Sequence, residues 1–195
     1  MPEEIPVKRN LKQDFPSLAA NIRSRRQELG LTLQDVADVT NLSVGFISQV
    51  ERNLTSPSLS SLAALSRTLG TRTADLFEVS DSGSSTTRSG HRPAYRLEEN
   101  GISYERVSTG FPGNVLNAVI ANMQPGYRSE EISHEGEELF YVIRGSLTVE
   151  LDGNASVLKT GDTIHFHSGC RHSAWNHTSQ AATVLITCTM ELFGN

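Results

Sequence analysis

The spacing of hydrophobic residues changes once along the chain, from a helical period to an alternating one. Apolar residues between Leu33 and Val50 recur every three to four positions, which places them on one face of a helix. Residues 115–123 and 146–151 instead carry apolar side chains mainly at every second position, and residues 138–143 form a mostly apolar run. These are the patterns of short strands. The chain is therefore predicted to have a helical part followed by a β-sheet part.

Residues 31–69 contain the signals for two short helices, the turn between them and a third helix. Thr32 and Ser43 are each expected to cap a helix, because their hydroxyl groups accept hydrogen bonds from free backbone N–H groups. Asn41 and Leu42 supply the turn. Two short helices joined so tightly are typical of a helix-turn-helix, whose second helix lies in the major groove of DNA. An ordinary helical hairpin is the alternative.

The second of these helices would present its exposed face to the DNA bases. Gln49 can pair with adenine through two hydrogen bonds, and Ser48 can hydrogen-bond to either kind of base. An apolar Val44 or Phe46 can contact a thymine methyl group. The predicted base-reading face consists of Val44, Gly45, Phe46, Ser48 and Gln49. In an ordinary hairpin, Gln49 would simply be a solvated side chain.

Four segments follow one another between residues 18 and 77 and read IRSRRQELGLT, DVADVTNLSVGFISQVERN, SPSLSSLAALSRTLG and ADLF. Together they resemble the lambda-repressor-like, XRE-type class of DNA-binding domains, without a gap. The resemblance implies a domain of five helices over residues 17–79, in which Arg26 pairs internally with Glu51. It also implies base contacts from the second helix, and phosphate contacts from Ser43, Arg52 and Asn53.

One position departs from that family. Relatives commonly have a phosphate-binding glutamine where this chain has Leu33, and Gln34 stands one place later. Gln34 is therefore the candidate for this phosphate contact in the present chain.

Basic residues are concentrated near the N-terminus, although the chain carries a net charge of −5. The first eighty residues hold nine basic and nine acidic residues, and the rest hold eight and thirteen, so the deficit lies in the second half. Lys8 to Arg26 contains six basic residues and one acid. This patch includes Arg23 and overlaps the arm at residues 1–16, which is therefore taken as basic, and it predicts salt-dependent phosphate binding. A solvated charged tail is the alternative for the arm.

Composition limits the class of protein further. The 195 residues, 37% of them hydrophobic, suffice for two small domains. Apolar runs fall short of the ~18 residues that span a membrane, and the N-terminus lacks the apolar segment of a signal peptide. A cytoplasmic location is expected. Cys170 and Cys188 are too few for a disulfide framework and are expected to be reduced.

Residues 80–92, SDSGSSTTRSGHR, lose all hydrophobic periodicity and predict a flexible linker. Beyond the linker, turn signals recur between the predicted strands. Asp152-Gly153 is a strong hairpin signal among them. An all-β sandwich or barrel of about ten strands is the economical fold for residues 93–195.

Two segments of this half read PGYRSEEISHEGEELFYVIRG (residues 125–145) and GDTIHFHSGCRHSAWN (residues 161–176). Together they resemble the paired motifs of the cupin barrel, a double-stranded β-helix, and the likeness covers roughly residues 104–190. The matching positions are Gly126, His134, Glu138, Gly145, Gly161, Gly169, His172 and Asn176.

The cupin resemblance implies a metal site. Relatives usually bind a divalent metal through two histidines and a glutamate of the first motif and one histidine of the second, but Ile132 replaces the first histidine here. The remaining set of His134, Glu138 and His172 suits one divalent ion such as Fe, Zn, Ni or Mn. On a straight strand His134 and Glu138 would lie roughly 13 Å apart, so residues 135–136 must bend the chain. A metal-free pocket is the alternative.

A second metal site is conceivable at His165 and His167, because alternate residues of a strand share a face. His167 stands where the cupin motif usually has a proline at a strand end, so a surface position is expected. The candidates for an apolar ligand pocket are Met123, Phe140, Val142 and Ala174. Ala174 would leave room for a ligand, whereas Phe140 and Val142 also suit a plain barrel core.

The domain order predicts a regulator rather than an enzyme. The resemblance implies a bacterial transcriptional regulator that binds a palindromic DNA operator as a homodimer, with recognition helices about 34 Å apart. It also implies a small-molecule effector in the cupin domain, from the amino acids, polyamines or sulfur metabolites. A metal-dependent oxygenase or epoxidase with the same helix-turn-helix is one alternative. A constitutive repressor with an inert dimerising barrel is the other.

Overall fold

The computed structural model describes residues 18–71, 73, 85–92, 94–96, 102–111 and 113–190. The predicted basic arm, the ADLF segment and residues 80–84 of the predicted linker lie outside these residues.

The helical half contains four α-helices within the described residues, where the family resemblance implied five. They are α1 (Leu18–Glu28), α2 (Leu33–Thr40), α3 (Val44–Glu51) and α4 (Leu59–Thr68). In the part of the chain that the structure describes, none of the helices is long and apolar enough to cross a membrane.

The predicted caps and turn of the helix-turn-helix are confirmed. The Thr32 hydroxyl accepts a hydrogen bond from the Asp35 backbone N–H, and the Asp35 carboxylate accepts one from the Thr32 backbone N–H. Asn41 ends α2 in the left-handed region, with φ +58°. The Ser43 hydroxyl then accepts a hydrogen bond from the Phe46 backbone N–H and starts α3. Local side chains therefore set the boundaries of both helices.

A buried ion pair joins α1 to α3, as the resemblance implied. Arg26 donates hydrogen bonds of 2.6 and 2.8 Å to the two carboxylate oxygens of Glu51, and their side chains are only 13% and 6% exposed. Arg26 also donates to the Leu31 carbonyl oxygen. The pair lies beside the helical core, which consists of Ile22, Val36, Ala37, Leu42, Ile47, Val50, Leu62, Leu65 and Leu69, with Ile132 from the other half.

The β half forms nine antiparallel strands within the described residues, close to the ten expected. They are β1 (Ala94–Arg96), β2 (Ile102–Arg106), β3 (Asn117–Met123), β4 (Glu137–Arg144), β5 (Ser146–Leu151), β6 (Asn154–Lys159), β7 (Thr163–His167), β8 (His172–Trp175) and β9 (Ala182–Cys188). One sheet has the order β1-β2-β3-β9-β4-β7, and the other has the order β6-β5-β8.

The core of the β half consists of the alternate residues of its strands. Val119, Val142, Leu147 and Val184 are fully buried in it. Side chains of each half also pack into the hydrophobic core of the other half. Leu59 and Ala63 of α4 belong to the core of the β half, and Ile132 packs in the helical core.

Candidate DNA interface, metal centre and cavity

The predicted base-reading face of α3 is mostly open to solvent. Ser43, Val44, Gly45 and Gln49 are exposed, and Ser48 is half-buried. Phe46 is half-buried as well, because its ring packs against the helical core. Phe46 thus has a structural role in addition to the DNA contact predicted for it.

Gly45 is not required by packing within the protein. A Cβ at this position would find only the Ser43 Oγ within 4.0 Å, and the backbone is helical. Glycine inside a helix destabilises it by roughly 0.5–1 kcal/mol relative to alanine. A helix surface without side-chain atoms lets another molecule approach the backbone closely, which suits the predicted base contact.

The predicted phosphate-contact residues lie on α1, on α2 and at the two ends of α3. Arg23 is exposed on α1, and Gln34 is exposed on α2, where its amide donates to Asp38 at 2.7 Å. Arg52 and Asn53 are exposed after α3, with Asn53 at φ +57°.

Leu33, which replaces the glutamine of the family, packs against the helical core. Its apolar character therefore follows from its position.

The three predicted metal ligands meet at one buried point. His134 precedes β4, Glu138 is the second residue of β4, and His172 begins β8. Glu138 Oε1 lies 2.8 Å from His134 Nε2 and 3.4 Å from His172 Nε2, and the side chains are 4%, 7% and 7% exposed. All the ligand atoms of the group lie within 4.8 Å of one another.

The chain bends between His134 and Glu138, as the metal hypothesis required. Gly136 has φ +99°, and a Cβ there would lie 2.6 Å from Thr189 Oγ1. Both the left-handed backbone and this close approach favour glycine. Backbone hydrogen bonds also link Ile132 to His172 in both directions and so align the two motifs.

The two imidazole rings are oriented so that Nε2 faces the centre. Nδ1 of His134 donates to the Glu135 carbonyl oxygen at 2.9 Å, and Nδ1 of His172 donates to the Cys170 carbonyl oxygen at 2.9 Å. In a neutral ring such a bond holds the proton on Nδ1 and leaves the Nε2 lone pair for a metal ion. Among the described residues, neither Nε2 nor Glu138 Oε1 has a partner with hydrogen-bond geometry. This donor set fits a first-row divalent ion.

Charge is partly balanced within this centre. Burial alone would raise the pKa of Glu138, but the His134 and His172 rings outweigh burial and lower the pKa. Burial alone would lower the pKa of His172, and the Glu138 carboxylate raises it instead. A positive charge at the centre, either a proton on the rings or a bound cation, therefore favours the ionised form of Glu138.

His165 and His167 lie on the exposed face of β7 and away from this centre. His165 contacts the Glu137 carboxylate at 2.9 Å, and His167 Nδ1 accepts a hydrogen bond from the Gly169 backbone N–H. Within the described residues, the cluster that could share an ion is His134, Glu138 and His172.

A cavity of about 40 Å³ opens beside Glu138 and His172. Met123, Phe140 and Ala174 line it, whereas Val142 does not and belongs to the core. Much of the lining was not predicted from the sequence, including Tyr104, Tyr127, Ser129, Ser173 and Cys188. Ser58, Leu59 and Ser60, which come from the helical half, were not predicted either. Their helical spacing gave no sign of a contact with the barrel.

Comparison with known proteins supports both domains. Residues 22–76 match the helix-turn-helix family HTH_3, and residues 119–188 match the cupin domain family Cupin_2. The HTH-type transcriptional regulator PuuR of Escherichia coli is 25% identical over 170 residues, which cover 86% of this chain and 92% of that protein. The HTH-type transcriptional regulator DdrOP3 of Deinococcus deserti is 43% identical over 61 residues, 31% of this chain and 47% of that protein.

The two-domain fold also has a counterpart among solved structures. The crystal structure of an HTH_3 family transcriptional regulator from Vibrio cholerae has a TM-score of 0.59 and 18% identity, and the match covers 88% of this chain and 94% of that chain. At this identity the likeness shows the fold. The chain therefore carries a domain that matches the helix-turn-helix family HTH_3, followed by one that matches the cupin domain family Cupin_2, and over most of its length it is similar to the HTH-type transcriptional regulator PuuR.

Proposed function

We propose that this regulator binds its operator through α3 and that a small-molecule effector in the cupin cavity modulates the binding. The observation that carries the proposal is the pairing of two sites in one chain. An exposed helix face with a glycine that packing does not need lies in one half, and a buried cluster of two histidines and a glutamate beside a cavity lies in the other.

The DNA-binding part of the proposal relies on the exposure and chemistry of α3. Gln49 and Val44 are exposed on it, and Ser48 lies beside them. A glutamine can read adenine by two hydrogen bonds, each such pair being worth about 1–3 kcal/mol of discrimination against a wrong base. The exposed basic residues Arg23 and Arg52 would position the domain on phosphate groups.

The receptor part relies on the charge and lining of the cavity. A divalent ion held by His134, Glu138 and His172 would supply a positive centre for a carboxylate or thiol of an amino acid or sulfur metabolite. Without an ion, the Glu138 carboxylate favours an amine, as in a polyamine. The apolar walls, which include Met123 and Phe140, would contact the rest of the effector.

Operator selection tests the DNA-binding part. The full chain is used to select duplexes from a random library, and the affinity of the selected duplex is then measured for the wild type and for Gln49→Ala. We expect a palindromic consensus, a loss of about 10- to 100-fold in the variant and relaxed preference at one base pair. The matched control is Gln27→Ala, an exposed glutamine on α1. Failure to enrich any sequence would contradict the proposal.

The cluster also supports an enzymatic alternative, because two histidines and one carboxylate are the ligand set of non-haem iron oxygenases. Anaerobically purified protein loaded with Fe(II) separates the two functions. A regulator should not consume oxygen catalytically with any of the proposed effectors. Sustained oxygen uptake that depends on one of them would favour the enzyme.

A further inference from the structure

The cavity of the cupin domain is completed by a helix of the DNA-binding domain. Ser58, Leu59 and Ser60, at the start of α4, line it together with the barrel residues. Leu59 and Ala63 extend the packing into the barrel core. The first turn of α4 is thus a wall of the cavity as well as part of the helix-turn-helix domain.

The barrel supplies the hydrogen bonds that hold this turn. Glu130 Oε2 accepts from the Ser58 backbone N–H at 3.1 Å and from the Ser61 hydroxyl at 2.8 Å. The Tyr104 hydroxyl accepts from the Leu59 backbone N–H at 3.0 Å. The Ser58 and Leu59 N–H groups are free donors of a helix N-terminus, and a carboxylate is favoured at the positive end of the helix dipole. We call this set of contacts the α4 latch.

Ile132 adds an apolar contact on the same side. It stands where the cupin motif has its first metal-ligating histidine, and it both lines the cavity and packs in the helical core. The isoleucine at this position therefore contributes an apolar contact between the two domains.

The walls of the cavity differ in how they are held in place. An occupant that needs more room than the closed cavity offers would displace the wall that is held by the fewest contacts. The barrel walls are tied into sheets by continuous strand pairing, whereas the α4 wall is held by three hydrogen bonds to Glu130 and Tyr104 and by a few apolar side chains.

We propose that the first turn of α4 is a movable wall of the effector cavity, so that filling the cavity releases the DNA-binding domain from the barrel. This inference rests on the proposed function, since it takes the cavity as the effector site. An effector shifts such an equilibrium only by its difference in affinity for the closed and open states. Here that difference arises from the space that α4 occupies.

The consequence for DNA follows from the geometry of a dimer. Two recognition helices must lie about one helical turn of DNA apart to bind a palindrome. A closed latch fixes the orientation of each α3 relative to its barrel, and an open latch no longer does. Opening should therefore weaken operator binding, by a factor in the usual range of about 5- to 150-fold for coupling between two sites.

Hydrogen exchange in the full-length chain tests the latch. The readout is the exchange rate of backbone amides in peptides that cover residues 57–66, compared with peptides of β9. Ala174→Phe places a covalently attached ring in the cavity and acts as the occupant. Glu130→Ala removes the latch carboxylate directly. The matched controls are Ala155→Phe, on the exposed part of β6, and Glu131→Ala, whose carboxylate pairs with Arg171 at the surface.

We expect Ala174→Phe and Glu130→Ala to accelerate exchange at the start of α4 by about tenfold or more while β9 stays protected, and both controls to match the wild type. Unchanged exchange in Glu130→Ala, or in an Ala174→Phe variant with a protected β9, would overturn the inference. If Ala174→Phe does not fold, the Glu130→Ala and Glu131→Ala pair decides. Operator binding by the wild type is measured separately, and its absence would count against the proposed function instead.

Discussion

The helical domain and the barrel place their candidate sites in opposite ways. The predicted base-reading residues belong to one eight-residue helix, and most are exposed. The three candidate metal ligands come from residues 134 to 172, and their side chains are at most 7% exposed. Local sequence is enough to build the first site, whereas the second depends on the pairing of distant strands. Substitutions on the exposed face of α3 should therefore change DNA binding without lowering stability. Substitutions of the buried ligands in the barrel should change metal binding and stability together.

The largest effect on stability is expected from Arg26→Ala. It would show that the exposed base-reading face of α3 also depends on the buried ion pair between Arg26 and Glu51. The change leaves the Glu51 carboxylate buried without its partner, and we expect a loss of about 3–5 kcal/mol in the free energy of unfolding of the helical domain. Circular dichroism during urea unfolding measures it. Arg23→Ala, an exposed change on the same helix, should stay within about 0.5 kcal/mol. Equal effects of the two changes would mean that the pair does not hold α1 to α3.

A smaller effect is expected from Glu138→Ala, which should lower the metal affinity of the barrel. The change removes the anionic ligand of the centre, and because outer-shell changes already cost 10- to 100-fold in metal affinity, we expect a loss above about 100-fold. Titration with Co²⁺ or Zn²⁺ measures the affinity. Glu137→Ala, one residue away and exposed, is the control. Metal affinity that is indistinguishable between the two variants would favour the metal-free pocket.

The smallest effect is expected from Gly45→Ala, and it separates binding from stability most cleanly. Alanine at this open helical position should raise the free energy of unfolding by roughly 0.5–1 kcal/mol. The same methyl group should weaken operator binding, because it occupies the surface that approaches the bases. Thermal unfolding measures the expected gain in stability, and operator titration measures the expected loss of DNA affinity. A variant that is more stable and binds DNA as tightly as the wild type would remove Gly45 from the interface.

The difference between the two regions also explains what could be predicted from the sequence. Thr32, Asn41 and Ser43 act through their nearest backbone neighbours, so the caps and the turn follow from residue chemistry alone. The Arg26–Glu51 pair and the three clustered ligands needed a family motif, because each joins distant segments. The bend at Gly136 followed from the distance that the cluster requires.

The missed features all depend on how the elements pack. Val142 has the same strand parity as Phe140, but the cavity reaches Phe140 and not Val142. Leu59 looks like an ordinary core residue of a helical domain, yet it packs into the barrel. Glu130 gave no signal, because its partner Ser58 is 72 residues away. Contacts between domains leave no periodic pattern in either domain.

The central claim is that the barrel controls DNA binding by α3. It is tested most directly by operator affinity of the native protein before and after dialysis against a chelator, with native mass spectrometry to identify what was bound. We predict a change of at least about fivefold on stripping, and no change in the triple variant His134→Ala, Glu138→Ala, His172→Ala. Identical operator affinity for the loaded wild type, the stripped wild type and the triple variant would contradict the claim.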